Sequence, residues 1–528
     1  MPPQEITPLL SQTEVIEEND GLMPIRIVNT FHDQKNDAGG CSNNIGKPAR
    51  TPLPTKQLVV LMAVILCEPF QFTILFPFIV FMVESFGVAP DSESLGYYVG
   101  FITAAFAGAQ CISALPWGTL SDRIGRRPVL LLGLAGNACA IVLFGLSKSL
   151  KWAVAARTIG GLLNGNIGVA KSMLGEVTDN SNRGRAFSLL GLSMGIGSIC
   201  GPMVGGLLSQ PALTFPSWFD IPFWREYPFL LPCLVSATVS IIGFTIGYFN
   251  LKETLIENKS GPEVCENENS PLLPHANRRN ARRPALTRLT LLSLYAFASW
   301  AFQQIIFDET YPLYASTSLG RGGLGFQSKD IGVSLSMLGV LTLFIQIFIY
   351  PRLERKYGAL HLYRAALLGL IPAFVGVPFV SAIAKARGSE RGRTEDGHVD
   401  WLVWGALMSC LGWRIFFNVV SFTSVTILVN NSVTDPANLG TVNGVGQCAA
   451  AGVRTIGPAL AGAIWSWSLG TSLPLKHHLV YHVLVVLVLI QFVEALFVID
   501  GKGLSAFETE SAAESSFSDS ECSIEVEG

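Results

Sequence analysis

Charge is scarce in this 528-residue chain: Asp, Glu, Lys and Arg together make up only 14% of it, against roughly 25% in an average soluble domain. Apolar types supply 49%, more greasy surface than so few charges can screen from water. That excludes an ordinary water-soluble globule and points to lipid as the solvent. Neither sign dominates, with 36 Lys and Arg against 39 Asp and Glu, which speaks against a nucleic-acid partner. No stretch reads as a nucleotide-binding P-loop, an H-E-x-x-H zinc site or a G-x-S-x-G nucleophile elbow. The chain is therefore expected to be no enzyme, to need no cofactor or metal, and to draw its energy from an ion gradient. The Cys residues form no C-x-x-C pair and no pairing rhythm. Cys67, Cys111, Cys139, Cys200, Cys233, Cys410 and Cys448 lie within apolar runs and read as small packing residues.

What is abundant is apolar sequence in membrane-length pieces. A helix needs about 20 mostly apolar residues to cross a bilayer. Runs that qualify lie near 58–83, 96–117, 128–147, 152–174, 186–208 and 228–250, then 287–307, 331–350, 360–384, 401–429, 440–466 and 479–499. Gly is frequent at 52 residues, which helices in lipid tolerate better than soluble ones do. The expected fold is an all-α membrane protein of twelve transmembrane helices in two six-helix halves, residues 57–250 and 287–500. Residues 1–56 are polar and read as a disordered cytoplasmic tail with no cleavable leader. Residues 251–286, with Arg278, Arg279, Arg282 and Arg283, read as a cytoplasmic linker, and 501–528 as a disordered acidic tail.

Lys and Arg in short loops set the orientation. Arg123, Arg126 and Arg127, then Arg183 and Arg185, the linker, and Arg352, Arg355, Lys356 and Arg364 all fall on one side if the first tail is cytoplasmic. The loop from Lys385 to Asp400, with Arg387, Arg391 and Arg393, dissents and is outvoted. Both termini are then cytoplasmic.

Three motifs carry mechanism. After the second run comes Gly118-Thr-Leu-Ser-Asp122-Arg123-Ile-Gly125-Arg126-Arg127-Pro128, which reads as a tight turn between helices held by opposite charges. Asp122 is placed to pair with an Arg or cap a helix, and Gly118 and Gly125 allow close approach or unusual dihedrals. In the fourth run Arg157 precedes Gly160-Gly161. In the fifth, Gly197-Ser-Ile-Cys-Gly201-Pro202-Met-Val-Gly205-Gly206 combines small residues for helix contact with a Pro bend. The second half echoes the first: Gly457-Pro458 with Gly462 repeats the Gly-Pro element, Arg414 matches Arg157, and Glu354-Arg355 is a degraded Asp122-Arg123. Parallel repeats of this kind suit two halves rocking about a midplane site.

By these residues the chain resembles the major facilitator superfamily, whose loop signature is G-x-x-x-D-R-x-G-R-R. The fifth-run motif is similar to that of its twelve-span drug:proton antiporter branch. With Cys67-Glu68-Pro69 in the first run, the chain also resembles fungal multidrug transporters and the zinc-induced facilitator-like proteins. The fourth-run motif departs from the family pattern R-x-x-q-G in having Gly160 where a polar residue is usual. The resemblance implies a conformational latch at Gly118, Asp122, Arg123, Gly125, Arg126 and Arg127, and a role in proton coupling for Arg157.

Ionisable residues inside a membrane are costly and so mark function. Glu68 lies mid-span with Gln71 one turn on, and a carboxyl there can exchange a proton during transport; a structural carboxyl bonded to a neighbouring helix is the other reading. Arg157 can tune a partner carboxyl or hold an anionic group. Arg414 and Arg454 can do the same in the second half, or simply tie helices together. Asp308 and Glu309 read as a solvated end of the seventh span rather than the lining of an outer vestibule. Glu494 lies toward the cytoplasmic end of the twelfth. His478 and His482 share a helix face near His477, but no further ligand accompanies them, so they read as interfacial. Trp300, Phe302 and Trp413 are aromatic candidates for stacking on a substrate. Glu5-Ile-Thr-Pro-Leu9-Leu10 and Glu268-Asn-Ser-Pro-Leu272-Leu273 fit E-x-x-x-L-L signals for a sorting adaptor, which point toward a vacuolar membrane; such short patterns also arise by chance, and the expected location is a plasma or a vacuolar membrane.

The expected function is a proton-coupled antiporter that exports small organic compounds. Glu68 would exchange the proton against substrate in a cavity lined by spans one, four, seven and ten. A nutrient facilitator or symporter, a carrier of metal chelates, and a non-transporting sensor are the alternatives. Partners are a small-molecule substrate, protons and the bilayer.

Overall fold

The structure is a computed structural model that describes residues 54–91, 93–178, 183–255, 286–387, 400–433, 439–471 and 478–499. The first tail, most of the linker, the loop residues 388–399, His477 and the last tail lie outside the described residues, and so do both E-x-x-x-L-L segments.

Every regular element among the described residues is a helix. In order these are α1 (Thr55–Thr73), α2 (Ile79–Ser85), α3 (Leu95–Ile124), α4 (Arg126–Gly145), α5 (Leu150–Leu162), α6 (Asn166–Val177) and α7 (Arg183–Leu208). Three short helices follow, α8 (Pro211–Thr214), α9 (Pro216–Phe219) and α10 (Pro222–Glu226), and then α11 (Leu230–Asn250). The second half holds α12 (Arg288–Ser316), α13 (Ser328–Phe344), α14 (Tyr350–Tyr357), α15 (Ala359–Ala386), α16 (Trp401–Asn431), α17 (Leu439–Gly470) and α18 (Leu479–Phe497). Ten of the described helical segments are long and apolar enough to cross a membrane. The other two passes are α5–α6, which is broken, and α17, whose Gly, Ser, Thr and Asn dilute its hydropathy. Large apolar side chains face outward on many helices: Val59, Ile241, Phe379 and Val493 are each more than half exposed, a surface suited to lipid chains.

Several expected spans differ in detail, each for a backbone reason. The first run is not one helix. Pro69 lies within α1, and the chain passes through turns at 74–78 before α2. Pro77 has no N–H to give the Thr73 carbonyl, so the helix cannot continue regularly there. The fourth run breaks at 163–165, and side chains of α3 satisfy the freed carbonyls: the Trp117 indole donates to Leu162 O at 2.7 Å and Ser113 to Gly161 O at 3.1 Å. The eighth carries a π-helical turn, Ile345–Ile349, just before Pro351, which cannot bond to the Ile347 carbonyl.

The loop motif is also corrected. Gly118 through Ile124 are the last turns of α3, not a turn between helices. Gly118 is helical with open space where a side chain would go, so it serves no close approach here. Only Gly125 makes the corner, at φ 105°, a value that a side chain would strain.

Packing decides how the halves meet. Define the latch end as the end of the bundle that carries Asp122 and Arg126, and the far end as its opposite. At the far end the halves are in tight contact along two seams. In one, α3 meets α17: a methyl on Gly96 would stand 2.7 Å from the Gly462 carbonyl oxygen, and the Tyr97 N–H donates to Ser466 Oγ at 3.2 Å. In the other, α7 meets α13: Ser209 donates to Ser328 Oγ at 2.7 Å and Ser336 to Ile199 O at 3.0 Å. Toward the latch end α3 and α17 separate, and a methyl added at Gly118 on α3 or at Gly444 on α17 would meet nothing within 4 Å, whereas α7 and α13 stay in contact as far as Gly195 and Leu343. The α3–α17 seam is closed at the far end and parted at the latch end.

The fifth-run motif explains part of this closure. Gly197 and Gly201 turn toward α1, where a methyl would come within 2.7 Å of the Leu66 and Phe70 carbonyl oxygens respectively, and Gly205 abuts Ile74. Gly206 turns the other way, toward α13, 2.6 Å from the Ser328 carbonyl by the same measure. One run of small residues therefore seats α7 both on its own half and on the other. Pro202 lies inside α7 between these contacts.

Candidate functional site: buried charges between the halves

Charge in the core needs partners, because an ion removed from water without them is costly. Three groups of polar side chains meet this need. The first surrounds Glu68 on α1, which is 8% exposed. The Gln110 amide of α3 donates to Glu68 Oε1 at 3.1 Å, while Oε2 has no hydrogen-bond partner. Asn164, at the break between α5 and α6, lies beside the carboxyl, and Lys171 of α6 and Arg454 of α17 are the cations within its electrostatic reach. Gln71 is not part of this group, since its amide donates to the Asn137 carbonyl of α4 at 2.9 Å.

The second group belongs to the other half. The Arg414 guanidinium, 2% exposed, donates to Gln304 Oε1 at 2.8 Å and lies 3.9 Å from Asp308 Oδ1. The Gln304 amide in turn donates to both Asp308 oxygens at 2.8 and 2.9 Å. Arg414 also stacks over the Phe307 ring at 3.4 Å from its centroid, an arrangement that suits a planar guanidinium.

The third group joins the halves. Glu309 on α12 is 2% exposed; Thr103 of α3 donates to its Oε2 at 3.4 Å, and Oε1 has no partner. Its electrostatic counter-charge is Arg157 of α5, which is 4% exposed and sits over the Phe106 ring at 4.0 Å. This overturns the reading of Asp308 and Glu309 as a solvated helix end. α12 runs on to Ser316, past the expected end near 307, so both residues fall inside the bundle.

Arg454 connects these groups. It is accessible, yet it acts electrostatically on both Glu68 and Asp308, one from each half. An accessible side chain between two interior carboxyls faces the space between the halves. That space is open toward the latch end, where α3 and α17 part.

The residues of the Gly118–Arg127 motif form a separate cluster at the latch end of the bundle. Arg126 pairs with Asp122, one turn earlier, and donates to Glu176 Oε1 through Nε at 3.0 Å and Nη2 at 2.8 Å. The backbone N–H groups of Arg126 and Arg127 donate to Glu253 at 2.8 and 3.0 Å. Arg127 also donates to the Tyr248 carbonyl. Partial burial raises the Glu253 carboxyl, but N–H donors from Leu255, Arg126, Arg127 and Thr254 outweigh it and hold Glu253 below its ordinary value. All these partners belong to the first six spans or the start of the linker. Arg123 is exposed and makes no ion pair among the described residues. With the latch end parted, the latch holds its own half together and does not cross to the other.

Other sequence candidates divide. Trp300 packs on Phe422 at 4.6 Å with its indole nitrogen buried and unpartnered, and Phe302 packs against the main core. Trp413 is half exposed on the outer face of α16, donating to Gly369 O at 2.9 Å, and does not face the cavity. Glu494 lies against Ser299 and Tyr295 of α12. His482 Nδ1 lies 2.8 Å from the His478 carbonyl, a bond within one helix. No group of metal-ligating side chains is present among the described residues. Sequence reasoning passed over Lys171, although a Lys inside the fourth apolar run is a signal of the kind that drew notice to Glu68. It also passed over Glu176 and Glu253, whose roles depend on where α6 and the linker fold back.

Comparison with known proteins follows the same lines. The family model described as Major Facilitator Superfamily matches residues 61–458. The chain is 30% identical to the "Major facilitator superfamily multidrug transporter mfsB" of Aspergillus fumigatus, over 80% of each chain. It is also 30% identical to the "Protein ZINC INDUCED FACILITATOR-LIKE 1" of Arabidopsis thaliana, over 83% of this chain and 89% of that one. Among solved structures, a D-xylose–proton symporter superposes with a TM-score of 0.62 at 14% identity, covering 85% of this chain and 99% of the other; that likeness concerns the fold alone.

Proposed function

Because this chain belongs to the major facilitator superfamily and is a multi-pass membrane transporter rather than an enzyme, we propose that it is a proton-coupled secondary transporter that exports small organic compounds by alternating access. The observation that carries the proposal is the Glu68 carboxyl, buried mid-bundle with one oxygen held by Gln110, Asn164 beside it, and the other oxygen outside normal hydrogen-bond geometry among the described residues. Such a group can take and release a proton as its surroundings change. The multidrug name of the fungal relative supports export of drugs, toxins or secondary metabolites over nutrient uptake.

In this reading the latch end faces the cytoplasm, and so do both termini, in a plasma or vacuolar membrane. The latch-open bundle then admits substrate from the cytoplasm to a cavity reached by Lys171 and Arg454. Substrate binding displaces the proton from Glu68, the halves rock, and the far end opens to release substrate. Asp122 and Arg123 engage the other half when the latch end closes.

The test is efflux of a compound panel from energised vesicles, with and without a proton uncoupler, for the native protein and Glu68→Gln. Flux lost on both treatments supports antiport through Glu68. Flux indifferent to both identifies a facilitator and removes Glu68 from the mechanism.

A further inference from the structure

The proton-coupled reading uses one buried carboxyl, yet the bundle holds another whose surroundings are more confined. Glu309 lies on the seam between the halves, close to the far-end closure. α12 of the second half supplies the carboxyl, and among the described residues its one hydrogen-bond partner is Thr103 of α3, whose hydroxyl lies 3.4 Å from Oε2 and 3.2 Å from the Val99 carbonyl. The remaining oxygen is buried and has no partner among the described residues. Seven residues further along α3 toward the far end is Gly96, packed on the Gly462 carbonyl, so the closed α3–α17 seam caps this site.

The charges that face Glu309 are few. Arg157 approaches from α5 and Asp308 precedes it on α12. α3 contributes the Thr103 hydroxyl and no charge. Arg414 on α16 and Arg454 on α17 act on Asp308. Glu494 on α18 lies at the level of Tyr295 and Ser299, more than two turns away along α12. Asp330 on α13 bonds the Gln327 N–H at 3.0 Å in a helix cap, and Glu84 on α2 is exposed.

We propose that Glu309 is a second proton-binding site of the transport cycle, sealed between the halves while the far end is closed and opened to far-side water when they part. The proposal deepens the proton-coupled reading and rests on it for its place in the cycle. An ionised carboxylate with an unpartnered oxygen is costly in a dry seam. Closing the far end therefore goes with uptake of a proton from far-side water onto the free oxygen, Oε1, while the single Thr103 hydroxyl proton is shared between Oε2 and the Val99 carbonyl. Loss of that proton leaves a carboxylate that needs water or Arg157. Arg157 thus finds its carboxyl on the opposite half, so its charge acts between the two bodies that move.

The test reads conformation and needs no substrate. Ser209→Cys and Ser328→Cys, placed at the 2.7 Å contact across the second far-end seam, are oxidised in proteoliposomes of the full chain equilibrated at a series of pH values. The single-cysteine variants control for the native thiols. With Glu309 intact, disulfide yield, corrected for the thiol reactivity that the single-cysteine variants report at each pH, falls several-fold as pH rises, because loss of the proton favours the parted far end. Glu309→Gln keeps the seam closed and removes the pH response, Glu309→Asp restores it, and Arg157→Gln displaces its midpoint. Glu68→Gln leaves the response in place. An identical profile with and without Glu309 overturns the proposal, and so does a response lost in Glu68→Gln but kept in Glu309→Gln. Either result leaves the efflux test of Glu68 untouched, so the two ideas fail separately.

Discussion

Glu253 closes the start of α4: its carboxylate accepts the Arg126 N–H at 2.8 Å and the Arg127 N–H at 3.0 Å. The residue lies 127 positions after Arg126 in the chain, so the beginning of the linker packs on the corner between α3 and α4. An anion at a helix N-terminus contributes about 0.3–1 kcal/mol. These N–H donors hold the carboxyl below its ordinary value, so its contribution is complete above the usual Glu range and is lost as pH falls through the lower folded value. Glu253→Gln is expected to lower thermal stability in detergent near neutral pH, and the difference from the native protein should vanish in strong acid. A difference that persists there would show that the contact is not electrostatic.

Within the latch, Asp122 and Arg126 differ in weight. Asp122 is largely exposed and its described partner is Arg126, which also holds Glu176. In the latch-open state Asp122→Asn should therefore change stability by less than about 0.5 kcal/mol, as for an exposed pair. Arg126→Gln removes charged hydrogen bonds to Ser121, Asp122 and Glu176 and should cost about 1.5–3 kcal/mol. Equal melting shifts for the two variants would contradict this division.

The far-end seam depends on the absence of a side chain at Gly206. Gly206→Val drives methyl groups into the Ser328 carbonyl and Gly332 and should destabilise the closed far end by about 1–3 kcal/mol. The Ser209→Cys/Ser328→Cys disulfide yield should then fall several-fold. Gly118→Ala, with no neighbour to meet, should leave that yield unchanged. A seam that tolerates Val would place the contact elsewhere.

Arg414 tests the second-half network. Arg414→Ala removes the charged hydrogen bond to Gln304 and the counter-charge of Asp308, whose side chain is 32% exposed, and should cost about 1.5–3 kcal/mol. Arg414→Lys should recover only part of that, since an ammonium cannot both stack on Phe307 and reach Gln304. Full recovery by Lys in a thermal-melt series would reduce the site to simple charge.

By itself the sequence determined the solvent, the number of passes and the two-fold repeat, because apolar run length and scarce charge are properties of composition and spacing. It also singled out Glu68, Arg157 and Arg414, since an ionisable residue in an apolar run stands out without any knowledge of its neighbours. The tertiary structure decided who meets whom. Arg157 lies within electrostatic reach of Glu309 in the other half, while Lys171 and Arg454 are the cations within reach of Glu68. Glu309 looked like a solvated end because the run of apolar residues stops near 307, but α12 continues and neighbouring helices cover it. Gly206 turns to the other half while Gly201 turns to its own; helix rotation sets that choice, and it is fixed only when all twelve passes pack together.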